Sequence, residues 1–166
     1  MHGRDVEAAC AGQRVAVNLS GIRKENVCRG DVLCAPDSLR PTRMLDVRLQ
    51  NLRDSRRVIE SGARLHFYHG AAACLVRAVL LDRDALRPGE SCYAQLSLSE
   101  DLAARQGDRF VVRFYSPLET IGGGVILDEH PYRHKRHDEG VLAALAVRES
   151  GSDEEKIVQA INACGA

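Results

Sequence analysis

The sequence predicts a mainly β fold, an antiparallel barrel or sandwich followed by a short helical segment. Three observations predict it. Up to about residue 130 the apolar residues recur in short runs that alternate with polar or small ones, the period-2 pattern of half-buried strands. These runs are separated at near-regular spacing by turn-forming Gly, Pro, Asn and Asp. Past Pro131 the apolar spacing lengthens to that of a helix.

The elements follow in order. Arg14-Val15-Ala16-Val17-Asn18-Leu19 alternates as a strand does, and Gly21 to Val27 has room for one helical turn. Arg29-Gly30-Asp31 turns into Val32-Leu33-Cys34, after which Ala35-Pro36-Asp37-Ser38 and Pro41 mark a boundary. Five alternating runs come next: Met44 to Leu49, Arg64 to Tyr68, Cys74 to Leu81, Cys92 to Leu98 and Phe110 to Tyr115. The breaks between them are turn-like, as in Asn51-Leu52-Arg53-Asp54, His69-Gly70, Arg87-Pro88-Gly89-Glu90 and Gln106-Gly107-Asp108. Gly122-Gly123-Gly124 precedes a last short run, Val125-Ile126-Leu127. Val141, Leu142 and Leu145 then lie on one face of a helix from about Asp138 to Glu149, stopped by Ser150-Gly151. Ser152-Asp153-Glu154-Glu155 has the capping-box pattern, and Ile157, Val158 and Ile161 supply the apolar stripe of a second helix.

Composition narrows the function classes. The chain has 166 residues, 45% hydrophobic and 28% charged, which suits one globular domain or two small ones and excludes a disordered tail. With three Phe, four Tyr and no Trp, the core must be built from aliphatic side chains. No apolar run approaches the roughly 18–20 residues of a membrane span, and the start of the chain does not read as a signal peptide. A cytoplasmic location is therefore expected. Formal net charge is zero but unevenly spread: residues 40–77 hold eight Arg against Asp46, Asp54 and Glu60. Arginine suits bidentate contact with phosphate, so this excess is a candidate nucleic-acid footprint.

Catalytic signatures do not appear. A phosphate-cradling G-x-x-x-x-G-K-[ST] loop is missing, as is a G-x-S-x-G elbow. Gly122-Gly123-Gly124 lacks the following Lys and Ser/Thr and reads instead as close approach of backbone to backbone. Six Cys and six His raise the alternative of a small metal-binding protein, but no two Cys stand closer than Cys28 and Cys34. His130, His134 and His137 sit among Arg133, Lys135 and Arg136, which reads as a basic exposed linker. His66 and His69 flank Phe67-Tyr68 near a turn, where they could stack on or bond to nucleic acid.

Read together, the segments resemble the β-barrel domains of translational GTPases. AGQRVAVNLSGIRKENVCRGDVL (Ala11 to Leu33) is similar to the closing half of the second domain, and Arg43 to Asp128 to the third. Asn18-Leu19-Ser20-Gly21, the Ser116-Pro117 loop before the glycine triplet, and His134-Lys135-Arg136 leading to helices narrow the resemblance to the selenocysteine-specific elongation factors. The resemblance implies three regions: 1–39 as half of a second-domain barrel, 40–130 as a six-stranded third-domain barrel, and 131–166 as a linker with the first helices of a winged-helix region. It implies a chain that handles selenocysteinyl-tRNA, and that meets the ribosome and the selenoprotein mRNA hairpin only through the rest of the full-length factor. It implies no cofactor in this stretch and no enzymatic activity, GTP and magnesium belonging to the absent first domain. The implied tRNA contacts are Arg113, Ser116, Pro117, Thr120 and Gly122. Unpaired edges in the N-terminal part imply a strand-paired or swapped dimer. The same region of a general translational GTPase is the alternative within the superfamily, and the helical tail from Asp138 speaks against it.

Overall fold

Six antiparallel strands close on themselves in the computed structural model of the chain, which describes residues 8–164. In chain order the strands are β1 (Pro41–Asn51), β2 (Ile59–Glu60), β3 (Ala63–His69), β4 (Ala72–Leu80), β5 (Ala85–Leu86), β6 (Ser91–Ala103), β7 (Arg109–Arg113) and β8 (Thr120–Asp128). Around the barrel they run β1-β6-β4-β3-β7-β8, and β8 returns to pair with β1. Closure leaves none of the six with a free edge. The short β2 and β5 pair separately, Ile59 with Leu86, and carry a pairing that the sequence pattern is too brief to signal. Asn51, fully buried, donates from Nδ2 to the carbonyls of Arg57 (2.8 Å) and Leu86 (3.0 Å), fixing that small sheet to the end of β1.

The alternation read from the sequence is the alternation of burial. Inward residues of β3 are Leu65 and Phe67, of β7 Phe110 and Val112, and of β1 Leu45, Val47 and Leu49. Phe67 and Phe110 stack at 5.0 Å between ring centres inside an otherwise aliphatic core. The last strand begins earlier than the run Val125–Leu127 suggests, because the glycine triplet is itself strand. A Cβ on Gly122 would overlap the Gln50 carbonyl oxygen, one on Gly124 that of Arg48, and one on Gly123 would lie 2.5 Å from that of Phe110. The triplet is what lets β8 nest between β1 and β7.

One expectation needs correction. Arg14 to Leu19 and Val32 to Cys34 form no strand; residues 8–40 are irregular apart from a 3-10 turn at Lys24–Asn26. Alternation alone is insufficient there, since strands need a partner ladder and few side chains in this stretch are covered. The segment touches the barrel at the β3–β4 turn, where Arg29 Nε donates to the Ala71 carbonyl at 3.1 Å and Gly30 lies against Ala72.

The His130–His137 linker is mostly exposed, as its basic sequence suggests, and it is also fastened to the barrel. Asp46, 1% exposed, accepts hydrogen bonds from Gln95 Nε2 (2.8 Å) and from the His134 imidazole (2.7 Å). Gln95 also donates to the Tyr132 carbonyl at 2.9 Å, and Arg136 donates to the Leu80 carbonyl at 2.9 Å. A buried carboxylate requires such partners, and the sequence does not reveal that Asp46 is buried. Burial nevertheless pushes its pKa above the usual carboxylate range, against the lowering bonds from Gln95 and His134.

The linker delivers α1 (Glu139–Ser150), whose first amides are capped by Asp138. Leu145 buries with Leu81 and Leu127 of the barrel. Tyr93 donates to Glu149 at 2.7 Å, Arg48 stacks over the Tyr93 ring at 4.6 Å, and Arg148 pairs with Asp128. Helix α2 (Asp153–Cys164) opens on the predicted reciprocal cap: Ser152 N–H donates to Glu155 at 2.8 Å and Glu155 N–H to Ser152 Oγ at 3.2 Å. None of the described helices is long and apolar enough to cross a membrane.

Candidate nucleic-acid interface

Strands β3, β4 and β7 carry no acidic residue, and their outward positions hold four arginines. Register sets these side chains in rows. Arg64 stands opposite Arg77; His66 lies between Leu75 and Arg113, with Thr120 beyond; Tyr68 lies between Ala73 and Val111. Arg109 is exposed further along β7. Like charges directly opposite one another, as in Arg64 and Arg77, cost stability, so this face is charged in spite of the sheet. Aromatic rings run between the charges. His66 and Tyr115 stack at 5.2 Å and 7°, Tyr68 sits 6.4 Å from His66, and the Arg113 guanidinium lies 5.9 Å from the Tyr68 ring centre.

The loop from Tyr115 to Glu119 projects beside this face. Phe114 N–H donates to the Glu119 carbonyl at 2.7 Å, closing the loop at its base, and the Ser116–Pro117 peptide bond is cis. Arg113 Nη2 donates to the Leu118 carbonyl at 3.1 Å, while its buried Nε has no hydrogen-bond partner among the described residues. Ser116, Pro117 and Thr120 are exposed. Gly122 is not: it is buried under the Gln50 backbone, and its place is in strand packing, so as a surface contact that choice is corrected. Structure thus gathers Arg113, Ser116, Pro117 and Thr120 at one rim and separates Gly122 from them.

Arg57 is one of the residues that sequence reasoning did not single out. Its Nε lies 3.3 Å from Glu119 Oε2 and its guanidinium 4.1 Å over the Phe114 ring, so one side chain bridges both stems of the loop. The Glu119 carboxylate is therefore paired rather than bare beside the arginine face. The two partners are 62 residues apart, and no local pattern announces the contact. Arg64, Arg77 and Tyr115 were missed as well; the only signal for the first two was the arginine excess of residues 40–77.

Other chemistries find little support in the geometry. Among the described residues no three His, Cys, Asp or Glu come together as metal ligands. Cys10, Cys28 and Cys34 are exposed thiols, and burial pushes the thiols of Cys74 to about 11 and Cys92 to about 12. The glycine triplet cannot cradle the phosphates of GTP, because it is laddered to β1 on one side and β7 on the other.

The family model described as the selenocysteine-specific elongation factor β-barrel domain matches residues 46–133, the span from β1 into the linker. A selenocysteine-specific elongation factor of Desulfomicrobium baculatum is 34% identical over 165 residues, 99% of this chain and 26% of that protein. The factor of the same description from Escherichia coli K12 is 33% identical over 151 residues, 89% of this chain and 23% of its own length. Elongation factor Tu 2 of Streptomyces avermitilis is 30% identical over 128 residues, 75% of this chain and 32% of that factor. This chain spans about a quarter of the length of the two selenocysteine-specific relatives.

Proposed function

Because the chain belongs to the family of the selenocysteine-specific elongation factor β-barrel domain, we propose that it is the tRNA-handling part of such a factor. In this reading the barrel holds selenocysteinyl-tRNA for delivery to the ribosome. Hydrolysis of GTP with magnesium, and recognition of the selenoprotein mRNA hairpin, belong to other parts of the full-length factor. The chain itself is not an enzyme, works in the cytoplasm, and uses no cofactor of its own.

The observation that carries this reading is the acid-free outer face of β3, β4 and β7 beside the Tyr115–Glu119 loop. Guanidinium groups there answer the phosphate backbone, and such contacts position an RNA without reading its sequence. Arg113, Ser116, Pro117 and Thr120 form the rim nearest the loop. The Arg57–Glu119 pair supports the same reading, since it takes the loop's own carboxylate out of opposition to phosphate.

Residues 1–39 are proposed as second-domain sequence, and 131–166 as the start of a winged-helix region. We infer that the former, which form no strand of their own among residues 8–40, associate with a second copy of the chain. A sedimentation series showing mass rising with concentration supports that association, and a clean monomer at high concentration removes it. The function itself is tested by binding of a selenocysteine tRNA transcript at low salt. Affinity that falls steeply as salt rises is expected, and absence of binding at low salt overturns the proposal for this chain.

A further inference from the structure

The phosphate-facing arginines leave one feature of the same surface unexplained. Tyr115 stacks on His66 and is still 61% exposed, so ring surface remains open to solvent. Beside it Tyr68 lies 6.4 Å from His66 with its ring tilted by 31°, and the Arg113 guanidinium is 5.9 Å from the Tyr68 ring centre. An RNA duplex offers phosphates, ribose hydroxyls and groove edges to such a face, while the flat surfaces of its bases stay stacked inside the helix. An exposed ring face gains little from those groups. An unpaired base, in contrast, presents a free flat surface and stacks on Tyr whatever its sequence.

We propose that the stacked His66–Tyr115 pair, beside Tyr68, is a stacking site for an unpaired nucleotide of the bound RNA, its base lying on the outer face of Tyr115. The charged rows flank that position: Arg113 shares the row of His66, and Arg64 and Arg77 stand one strand repeat away, about 7 Å. Phosphates on either side of the stacked nucleotide thus meet guanidinium groups without the base leaving the ring. The loop closure between Phe114 and Glu119, braced by Arg57, holds Tyr115 against His66 before any RNA arrives. The stacking site rests on the proposed RNA-binding reading of this face and adds to it a preference for an unpaired base.

The test compares a labelled oligouridylate with a blunt-ended RNA duplex of equal length, titrated at low salt with the full chain. Tyr115→Ala is expected to weaken oligouridylate binding roughly tenfold and to leave the duplex unchanged. Tyr115→Phe keeps the ring and is expected to bind oligouridylate like the parent. His66→Ala, which removes the support behind Tyr115, is expected to lower oligouridylate binding alone. Equal weakening of both probes by Tyr115→Ala, or weakening of neither, overturns the stacking site. Should the parent chain bind oligouridylate but no duplex, the tRNA-holding proposal fails while the stacking site stands. Binding to neither probe removes both.

Discussion

Replacing Arg57 by Ala isolates the brace on which the loop depends. In the folded chain its guanidinium lies 3.3 Å from Glu119 and 4.1 Å over Phe114, and the paired side chains are 33% and 41% exposed. An ion pair that open to water contributes up to about 1 kcal/mol, and the cation–π contact about 0.5–1 kcal/mol. Arg57→Ala should thus cost stability of about 0.5–2 kcal/mol. The binding effect has a separate origin. For a bound phosphate placed about 7 Å from an unpaired Glu119 carboxylate, at an effective dielectric of about 40, the repulsion is about 1 kcal/mol, or roughly fivefold in affinity. Glu119→Gln in the Arg57→Ala background removes that repulsion without restoring the lost stability. Thermal melting gives the first quantity, and anisotropy of a labelled selenocysteine tRNA transcript at low salt gives the second. The double variant should regain about fivefold of binding while melting no higher than Arg57→Ala. If Arg57→Ala loses stability but binds RNA as well as the parent, or if adding Glu119→Gln returns nothing, the reasoning about the loop is refuted.

Gly124→Ala should destabilise by at least about 2–3 kcal/mol, because its methyl would overlap the Arg48 carbonyl and force β1 from β8. Gly107→Ala, at φ 89° with open space around it, should cost only about 1–2 kcal/mol of left-handed strain; equal losses in urea unfolding would contradict the packing argument. Asp46 gives a pH prediction with a definite sign. Its folded pKa lies above the ordinary 3.8, so the native state binds the proton more tightly than the unfolded chain does. Its contribution to stability is greatest below 3.8 and is lost as pH rises from there through the folded value. The stability of the parent relative to Asp46→Asn should accordingly fall over that window; a flat or rising difference in urea midpoints would show that burial does not dominate at Asp46.

Much of the barrel was legible because a strand half-buried in a closed sheet must alternate, and Leu65-His66-Phe67-Tyr68 does so in plain view. The glycine triplet was legible too: without a Lys and hydroxyl after it, close backbone packing is the favoured reading, and the structure shows that packing. The N-terminal part misled for the complementary reason: Arg14 to Leu19 alternates just as well, but alternation says nothing about whether a partner ladder exists. The anchoring of the linker was not legible because the partner of His134 is Asp46, 88 residues away, and the burial of Asp46 is a property of the closed barrel. At the interface the rim residues Arg113, Ser116 and Thr120 came from resemblance, whereas Arg57, Arg64, Arg77 and Tyr115 are assembled by register and loop closure. Their roles depend on neighbours across strands, which one sequence does not supply.

In the proposed complex, guanidinium groups of the β3–β4 face meet RNA phosphates. Arg64→Ala with Arg77→Ala removes two exposed charges that stand opposite each other on neighbouring strands, so the fold should be retained or slightly strengthened. Affinity for the selenocysteine tRNA transcript is then followed across a salt series for both proteins. The predicted result is a shallower dependence of log affinity on log salt, by about two. An unchanged slope in a folded double variant would mean that the RNA lies elsewhere.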